Sequence, residues 1–272
     1  MDARLQRRVQ RYGWDKAEPC YERYWARQLQ PAQDSVLAIA NLQPGERVLE
    51  TACGTGLMTV PAAAAVTSKG AVVATDISDK MVETARLRAR ESGLQHVRLE
   101  RMDAEKLAVE NAAFDVALCS LGLMYFPDPL QALKEMLRAL RPGGRAISAV
   151  WGARERCGWA EIFPIVDSRV QSDVCPLFFQ LGTQENQNAA FLRAGFVDVR
   201  SERIRTLLNY DSSDDAIGAA FAGGPVALAY SRIDEKSRED AHAEYLASIE
   251  PYRNGVSYNI PGEFVITLGR RS

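Results

Sequence analysis

The chain has 272 residues, enough to bury a full core, and its apolar (47%) and charged (25%) fractions are ordinary for a globular protein. Lys and Arg number 33 against 35 Asp and Glu, a net charge of −2, which argues against a dominant nucleic-acid footprint. The N-terminus is charged (Arg4, Arg7, Arg8, Arg11) with no apolar run behind it, and no run approaches membrane-spanning length, so neither a signal peptide nor a membrane segment is expected. Five scattered cysteines (Cys20, Cys53, Cys119, Cys157, Cys175) with no Cys-x-x-Cys predict free thiols in a reducing cytoplasm. With His96 and His242 the only histidines, no metal site is expected; His96 is placed at a surface strand start and His242 on a solvated helix face.

Residues 12–30 read as a helix rich in aromatics (Tyr12, Trp14, Tyr21, Tyr24, Trp25). That face either packs on a sheet or closes over a bound molecule through Tyr21, Tyr24 or Trp25. A second helix, Gln33 to Leu42, leads to the turn at Pro44-Gly45. Val48 and Leu49 then form a short buried strand closed by Glu50. Cys53-Gly54-Thr55-Gly56 makes a tight turn into a helix marked by Leu57, Val60 and Ala64. Glycines there let a ligand approach the backbone and the helix-start amides. A dinucleotide fingerprint would place its third glycine at Thr59; the pattern is instead acid-x-x-x-Gly-x-Gly. A carboxylate before the loop suits a positively charged ligand and repels a pyrophosphate.

Ala71 to Asp76 is a second strand ending in an acid. Asp76 stands at the distance from the glycine loop where a carboxylate accepts from ribose hydroxyls. The alternative is an N-cap for the helix Asp79 to Ser92, although Ser78 and Asp79 are better placed for that. Ile77 and Met81 either flank an adenine or join the core. Val97 to Arg101 alternates like a third strand and leads to Asp103, a third acid at the same sheet edge. Asp103 either accepts from an adenine amino group, with the Ala104 amide donating to the ring, or caps a short following helix. Phe114 to Ser120 is the fourth strand, followed by an apolar loop holding Tyr125. A helix striped by Leu130, Leu133, Met136, Leu137 and Leu140 ends at Arg141-Pro142-Gly143-Gly144, and the fifth strand runs to Trp151. This alternation predicts right-handed βαβ units in a doubly wound α/β sheet.

Glu50 through Gly56 resembles the first motif of the class I S-adenosylmethionine (SAM)-dependent methyltransferases. The set Phe114-Asp115-Val116, Phe126-Pro127-Asp128-Pro129 and Leu140-Arg141-Pro142-Gly143-Gly144 is similar to the ubiquinone/menaquinone-biosynthesis-like (UbiE-like, methyltransferase type 11) group; the likeness runs from Val48 to Trp151. It implies a Rossmann-like seven-stranded sheet with N-terminal helices and helical insertions forming a lid. SAM is the implied cofactor, S-adenosylhomocysteine (SAH) the product, and no metal is implied. Glu50 would lie near the methionine amino end and Ala52, Gly54, Thr55 and Gly56 against the cofactor. Asp76, Ile77, Met81, Asp103, Ala104 and Ser120 complete that set, and Ala52 stands where many members have glycine.

The rest of the sheet is expected at residues 196–200 and 263–268, with a helix at Asn186 to Ala194. Residues 152–185 and 211–258, broken at Gly223-Gly224-Pro225, are then insertions over the sheet edge. The chain divides as one domain: helices at 1–43, a SAM-binding core at 44–151, and sheet with substrate-covering insertions at 152–272. A small, partly apolar acceptor is the leading expectation, with Tyr125 the residue to test for orienting it. A protein or RNA methyltransferase and a non-catalytic SAM-binding protein are the alternatives. Ser120-Leu121-Gly122-Leu123 stands where a DNA amine methyltransferase has its Asn/Asp-Pro-Pro-Tyr motif. The acceptor's identity and the oligomeric state stay open.

Overall fold

The computed structural model describes residues 3–170 and 178–272, so Cys175 lies outside the described residues. Helix α1 (Ala3–Ala40) opens the chain and runs without interruption through Pro19 and Pro31. Two N-terminal helices are therefore corrected to one. An internal proline removes a backbone hydrogen bond and crowds a carbonyl, at a cost of about 3 kcal/mol. Burial of Trp25, Leu29, Ala32, Val36 and Ala40 in the core offsets that cost around Pro31.

The first βαβ units follow: β1 (Arg47–Thr51), α2 (Thr59–Val66), β2 (Ala71–Asp76), α3 (Asp79–Glu91) and β3 (Val97–Arg101). Next come β4 (Phe114–Ser120), a 3-10 turn at Leu123–Tyr125, α4 (Pro129–Ala139) and β5 (Leu140–Trp151). Ser78 caps α3, its hydroxyl accepting from the Met81 amide at 3.1 Å, and Asp128 caps α4 just before Pro129. Beyond β5 lie α5 (Ile162–Asp167), α6 (Asn186–Ala194), β6 (Val197–Tyr210) and α7 (Ser213–Ile217), which runs into a π-helical turn at Gly218–Ala222. Helices α8 (Ala227–Tyr230) and α9 (Glu235–Ile249), the two-residue β7 (Arg253–Asn254) and β8 (Ser257–Arg270) complete the chain.

The strands order as β3-β2-β1-β4-β5-β8-β6, with β7 on the start of β8. Strands β1 to β5 are parallel, and β8 runs antiparallel to both β5 and β6. This is the expected doubly wound sheet of seven long strands, with β7 as an addition. Its last two strands are much longer than the apolar runs suggested. β6 is an edge strand whose side chains are mostly exposed, so charges hide its alternation. The parallel order brings the carboxyl ends of β1 to β4 to one edge, where a doubly wound sheet binds ligands.

The stretch from α7 to α8 packs on α1. The Trp25 indole donates to the Ala219 carbonyl at 3.2 Å, and the missing side chain of Gly218 makes room for the Tyr24 ring. His96 bonds the Ala63 carbonyl at 3.0 Å. His242 is not simply solvated, as its helix suggested: it bonds the Tyr230 hydroxyl at 2.8 Å and packs on Phe221. Among the described residues, no helix is long and apolar enough to cross a membrane.

Candidate functional site

A cavity of about 710 Å³ opens at the carboxyl ends of β1 to β4. From β1 and its loop, Ala52 and Gly54 line it; from β2 and the start of α3, Asp76, Ile77 and Met81. Asp103 and Ala104 after β3, Ser120 at the end of β4 and Tyr125 in the turn beyond it add to the convergence.

The backbone at these strand ends is tightly wound. Ala52 (φ 53°) and Leu121 (φ 62°) hold left-handed conformations uncommon for residues with a Cβ. Gly54 (φ 54°) and Gly56 (φ 85°) do so as glycine allows. The two glycines differ in surroundings. A Cβ on Gly54 would meet only the Tyr21 ring at 3.9 Å, whereas one on Gly56 would press on Ala85 of α3 at 3.2 Å. Gly54 thus leaves space on the cavity side, and Gly56 lets the loop pack on α3.

The acids have distinct settings. Asp76 accepts from the Gly54 amide (2.9 Å) and the Ser78 amide (2.9 Å), tying the glycine loop to the end of β2. Burial nevertheless outweighs these donors and pushes its carboxyl up to about 6. Glu50 does not line the cavity. Its carboxylate lies behind the loop, where it accepts from the Thr59 hydroxyl at 2.7 Å. Burial pushes it up to about 8, the Thr59 bond opposing and the nearby Asp76 adding to the rise. Thr55 and Gly56 are also outside the lining. Asp103 caps no helix, since none follows it; one oxygen accepts from the Glu105 amide at 2.9 Å and the other pairs with Arg7 at 2.9 Å.

Helix α1 supplies the remaining wall through Arg7, Gln10, Trp14 and Tyr21. Arg7 also pairs with Glu105. Of the aromatics expected to close over a ligand, Tyr21 lines this cavity, Tyr24 packs against Gly218, and Trp25, within the core, lines the cavity adjoining this one. The sequence reading missed Arg7, Gln10 and Trp14. Their helical spacing was readable, but what they face depends on how α1 crosses the sheet edge.

Next to this cavity is a second one of about 360 Å³. The two share Trp14, Tyr21, Leu121 and Tyr125 as walls. Trp14 meets Tyr125 edge-on at 5.0 Å and Tyr21 at 5.8 Å, so this partition is an interlocked aromatic cluster. Among the described residues, no group of three or more His, Cys, Asp or Glu is arranged to hold a metal ion.

Residues 48–144 match a family described as a methyltransferase domain. A demethylmenaquinone methyltransferase of Staphylococcus epidermidis is 28% identical over 194 residues, covering 71% of this chain and 78% of that protein. The aklanonic acid methyltransferase DauC of Streptomyces sp. strain C5 is 35% identical over 132 residues, covering 48% of this chain and 60% of that one. In fold, the chain is similar to the YcgJ protein of Bacillus subtilis, with a TM-score of 0.63 at 19% identity over 89% of this chain and 99% of that one.

Proposed function

Because this chain carries a class I SAM-dependent methyltransferase domain, distantly homologous to demethylmenaquinone methyltransferases, we propose that it methylates a small, partly apolar molecule by in-line displacement. One observation carries the reading: the strand-end cavity with its acids shares an aromatic partition with a second, apolar cavity. That arrangement suits a charged donor on one side and a small acceptor on the other. The two relatives above carry the names of demethylmenaquinone and aklanonic acid methyltransferases, in keeping with such an acceptor.

The residues fit the cofactor. Each Asp76 oxygen accepts one amide and keeps a lone pair for a ribose hydroxyl. Asp103 and the Ala104 amide are assigned to the adenine edge, with Ile77 and Met81 beside the ring. The buried Ser120 hydroxyl has no partner and is assigned to the amino-acid portion, which Gly54 lets lie close to the backbone. Thr55, whose hydroxyl is likewise unpartnered, and Gly56 serve the loop's conformation. Glu50 acts from behind that loop, holding Thr59 at the start of α2. When bound, the cofactor supplies an activated methyl group on a sulfonium, an excellent leaving group. The chain's own task is then to align the acceptor and exclude water. Tyr125 and Trp14, common to both cavities, are assigned the alignment. The same reading takes residues 1–272 as a single methyltransferase domain, with 44–151 its SAM-binding core.

Two measurements test this. Isothermal titration should find SAM bound by the wild type, and Asp76→Ala should bind it more weakly by about 1–3 kcal/mol, the worth of charge-assisted hydrogen bonds. Unchanged affinity would remove Asp76 from the site. Incubation with methyl-labelled SAM and fractionated cell extract should put label into the small-molecule fraction, read by mass spectrometry. Label in protein or RNA instead would overturn the acceptor class.

A further inference from the structure

A cleft between α1 and α3 reaches the glycine loop at Thr55 and shares no lining residue with the cofactor cavity. We propose that it is a second binding site, for an aliphatic diamine in its doubly protonated form, and that its occupation tightens the cofactor. The site is read from its own side chains; the coupling rests on the methyltransferase reading above.

Among the described residues lining the cleft, the charged ones are Glu18 and Glu22 from α1 and Arg88 and Glu91 from α3. Three carboxylates thus face one guanidinium, and the contacts already made leave acceptors over. Glu18 accepts from the Thr84 hydroxyl at 2.5 Å, and Glu22 Oε2 pairs with Arg88. The other oxygen of Glu22, Oε1, is buried and has no partner. Thr55 is only 1% exposed, and its hydroxyl oxygen is likewise buried and unpartnered. Glu91 makes no hydrogen bond or ion pair among the described residues. A buried oxygen without a donor costs free energy until one arrives, and more if it is charged. An ammonium group brings three donors, no acceptor and the missing positive charge.

The charge is spread along the cleft. Glu18 and Glu22 stand about 6 Å apart along α1, with Glu91 on the opposite helix. Among the described residues no group of three or more His, Cys, Asp or Glu is gathered to hold a metal ion. A ligand charged at both ends suits that spread better than a single ion. Leu87, 48% exposed, and Pro19 also line the cleft and offer apolar surface to a methylene chain. One ammonium is assigned to Thr55 and Glu22 Oε1, the other to Glu91. Arg88 already ties the same parts together: its Nε donates to the Thr55 carbonyl at 3.1 Å while its Nη2 holds Glu22. The loop, α1 and α3 each carry a wall residue of the cofactor cavity, namely Gly54, Tyr21 and Met81. A diamine bridging these three elements resists their separation, so diamine and cofactor each tighten the other by one shared factor.

The test is calorimetric titration of 1,5-diaminopentane at neutral pH into the full chain, alone and saturated with SAH, with pentylamine as the single-ammonium probe. The diamine should bind, and pentylamine should bind about fivefold more weakly. SAH should bind about fivefold more tightly when the diamine is present. Glu91→Gln should weaken the diamine about threefold and leave SAH affinity in its absence unchanged. Thr55→Val should weaken the diamine about fivefold without lowering the melting temperature, because the hydroxyl it removes has no partner to lose. No binding of the diamine, pentylamine bound as tightly, diamine affinity indifferent to both variants, or SAH affinity unmoved by the diamine would each overturn the proposal. A chain that binds SAH and no diamine would leave the methyltransferase reading intact. A chain that binds the diamine and no SAH would strike that reading and the coupling with it. If Thr55→Val fails to fold, Glu91→Gln and the two probes still decide.

Discussion

Glu50 and Asp76 stand on neighbouring parallel strands, both buried, yet they are stabilised differently as anions. Asp76 has two amide donors, whereas the donor to Glu50 is the Thr59 hydroxyl. Burial dominates for both and raises Asp76 to about 6 and Glu50 to about 8. A carboxyl whose folded value lies above its unfolded one binds its proton more tightly when folded. Its contribution to stability is therefore complete below the unfolded value, near pH 4, and is lost as pH rises through the folded value. For Asp76 that window closes near pH 6, and for Glu50 near pH 8. The ligand-free protein should thus lose thermal stability between about pH 4 and pH 8. Glu50→Gln keeps an acceptor for Thr59 and removes the upper titration, so its melting temperature should fall several degrees less over that range. Parallel pH profiles for the two proteins, followed by circular dichroism, would mean that Glu50 ionises freely. The acid in front of the glycine loop was legible from spacing alone. That its carboxylate turns behind the loop was not, because alternation along a strand buried on both faces does not say which face holds the ligand.

At the scale of elements, the loops leaving β1 and β4 meet at Ala52 and Gly122. Gly122 has an ordinary right-handed backbone (φ −100°), so its glycine is not needed for conformation. Space is the reason: a Cβ there would collide with the Ala52 Cβ. Gly122→Ala should therefore destabilise the protein by about 1–3 kcal/mol through overpacking, and should weaken cofactor binding, since both loops line the cavity. Ala52→Gly removes the opposing Cβ and a left-handed alanine together, so the double variant should recover most of the loss. A double-mutant cycle by chemical denaturation measures this coupling; additive effects would place the strain elsewhere. This pairing explains how the chain carries alanine at a left-handed position favouring glycine: the room for its Cβ comes from Gly122, 70 residues away. Strands β1, β2 and β4 were legible because compact apolar runs mark them, and β3 from its alternation. The full reach of β6 and β8 was not. Their ladder extends from Val197–Arg270 to Tyr210–Tyr258, through residues such as Arg203 and Arg205 whose charges look like loop.

Across the whole molecule, α1 is held in two different ways. Its C-terminal half is anchored by burial of Trp25, Leu29, Ala32, Val36 and Ala40. Its N-terminal half is fastened by a polar stripe at helical spacing. Arg7 pairs with Asp103 and Glu105, and Arg11 with Asp79; Asp15 accepts from the Ser78 hydroxyl at 2.6 Å. Glu18 accepts from Thr84 and Glu22 pairs with Arg88, so the stripe crosses from the loop after β3 onto α3. The same half carries Gln10, Trp14 and Tyr21 onto the cavity, so it forms one wall of the site. Glu105 is buried, but Arg11, Asp79, Glu22 and Arg88 are partly exposed, and such charges are screened by salt, whereas buried apolar contacts are not. Pro19, which lacks an amide hydrogen, falls within the stretch that carries this stripe and weakens the helix there. Raising salt to about 1 M, where the screening length shrinks to about 3 Å, should therefore speed amide hydrogen exchange in residues 3–18 and leave 25–40 protected. The Arg7→Ala/Arg11→Ala variant should show the same pattern at low salt, with cofactor dissociation several-fold faster by stopped-flow tryptophan fluorescence. Exchange rising evenly along α1 would mean that the helix moves as one body. Unchanged exchange at 3–18 would mean that packing of Trp14 against Tyr125, and not charge, holds the wall shut.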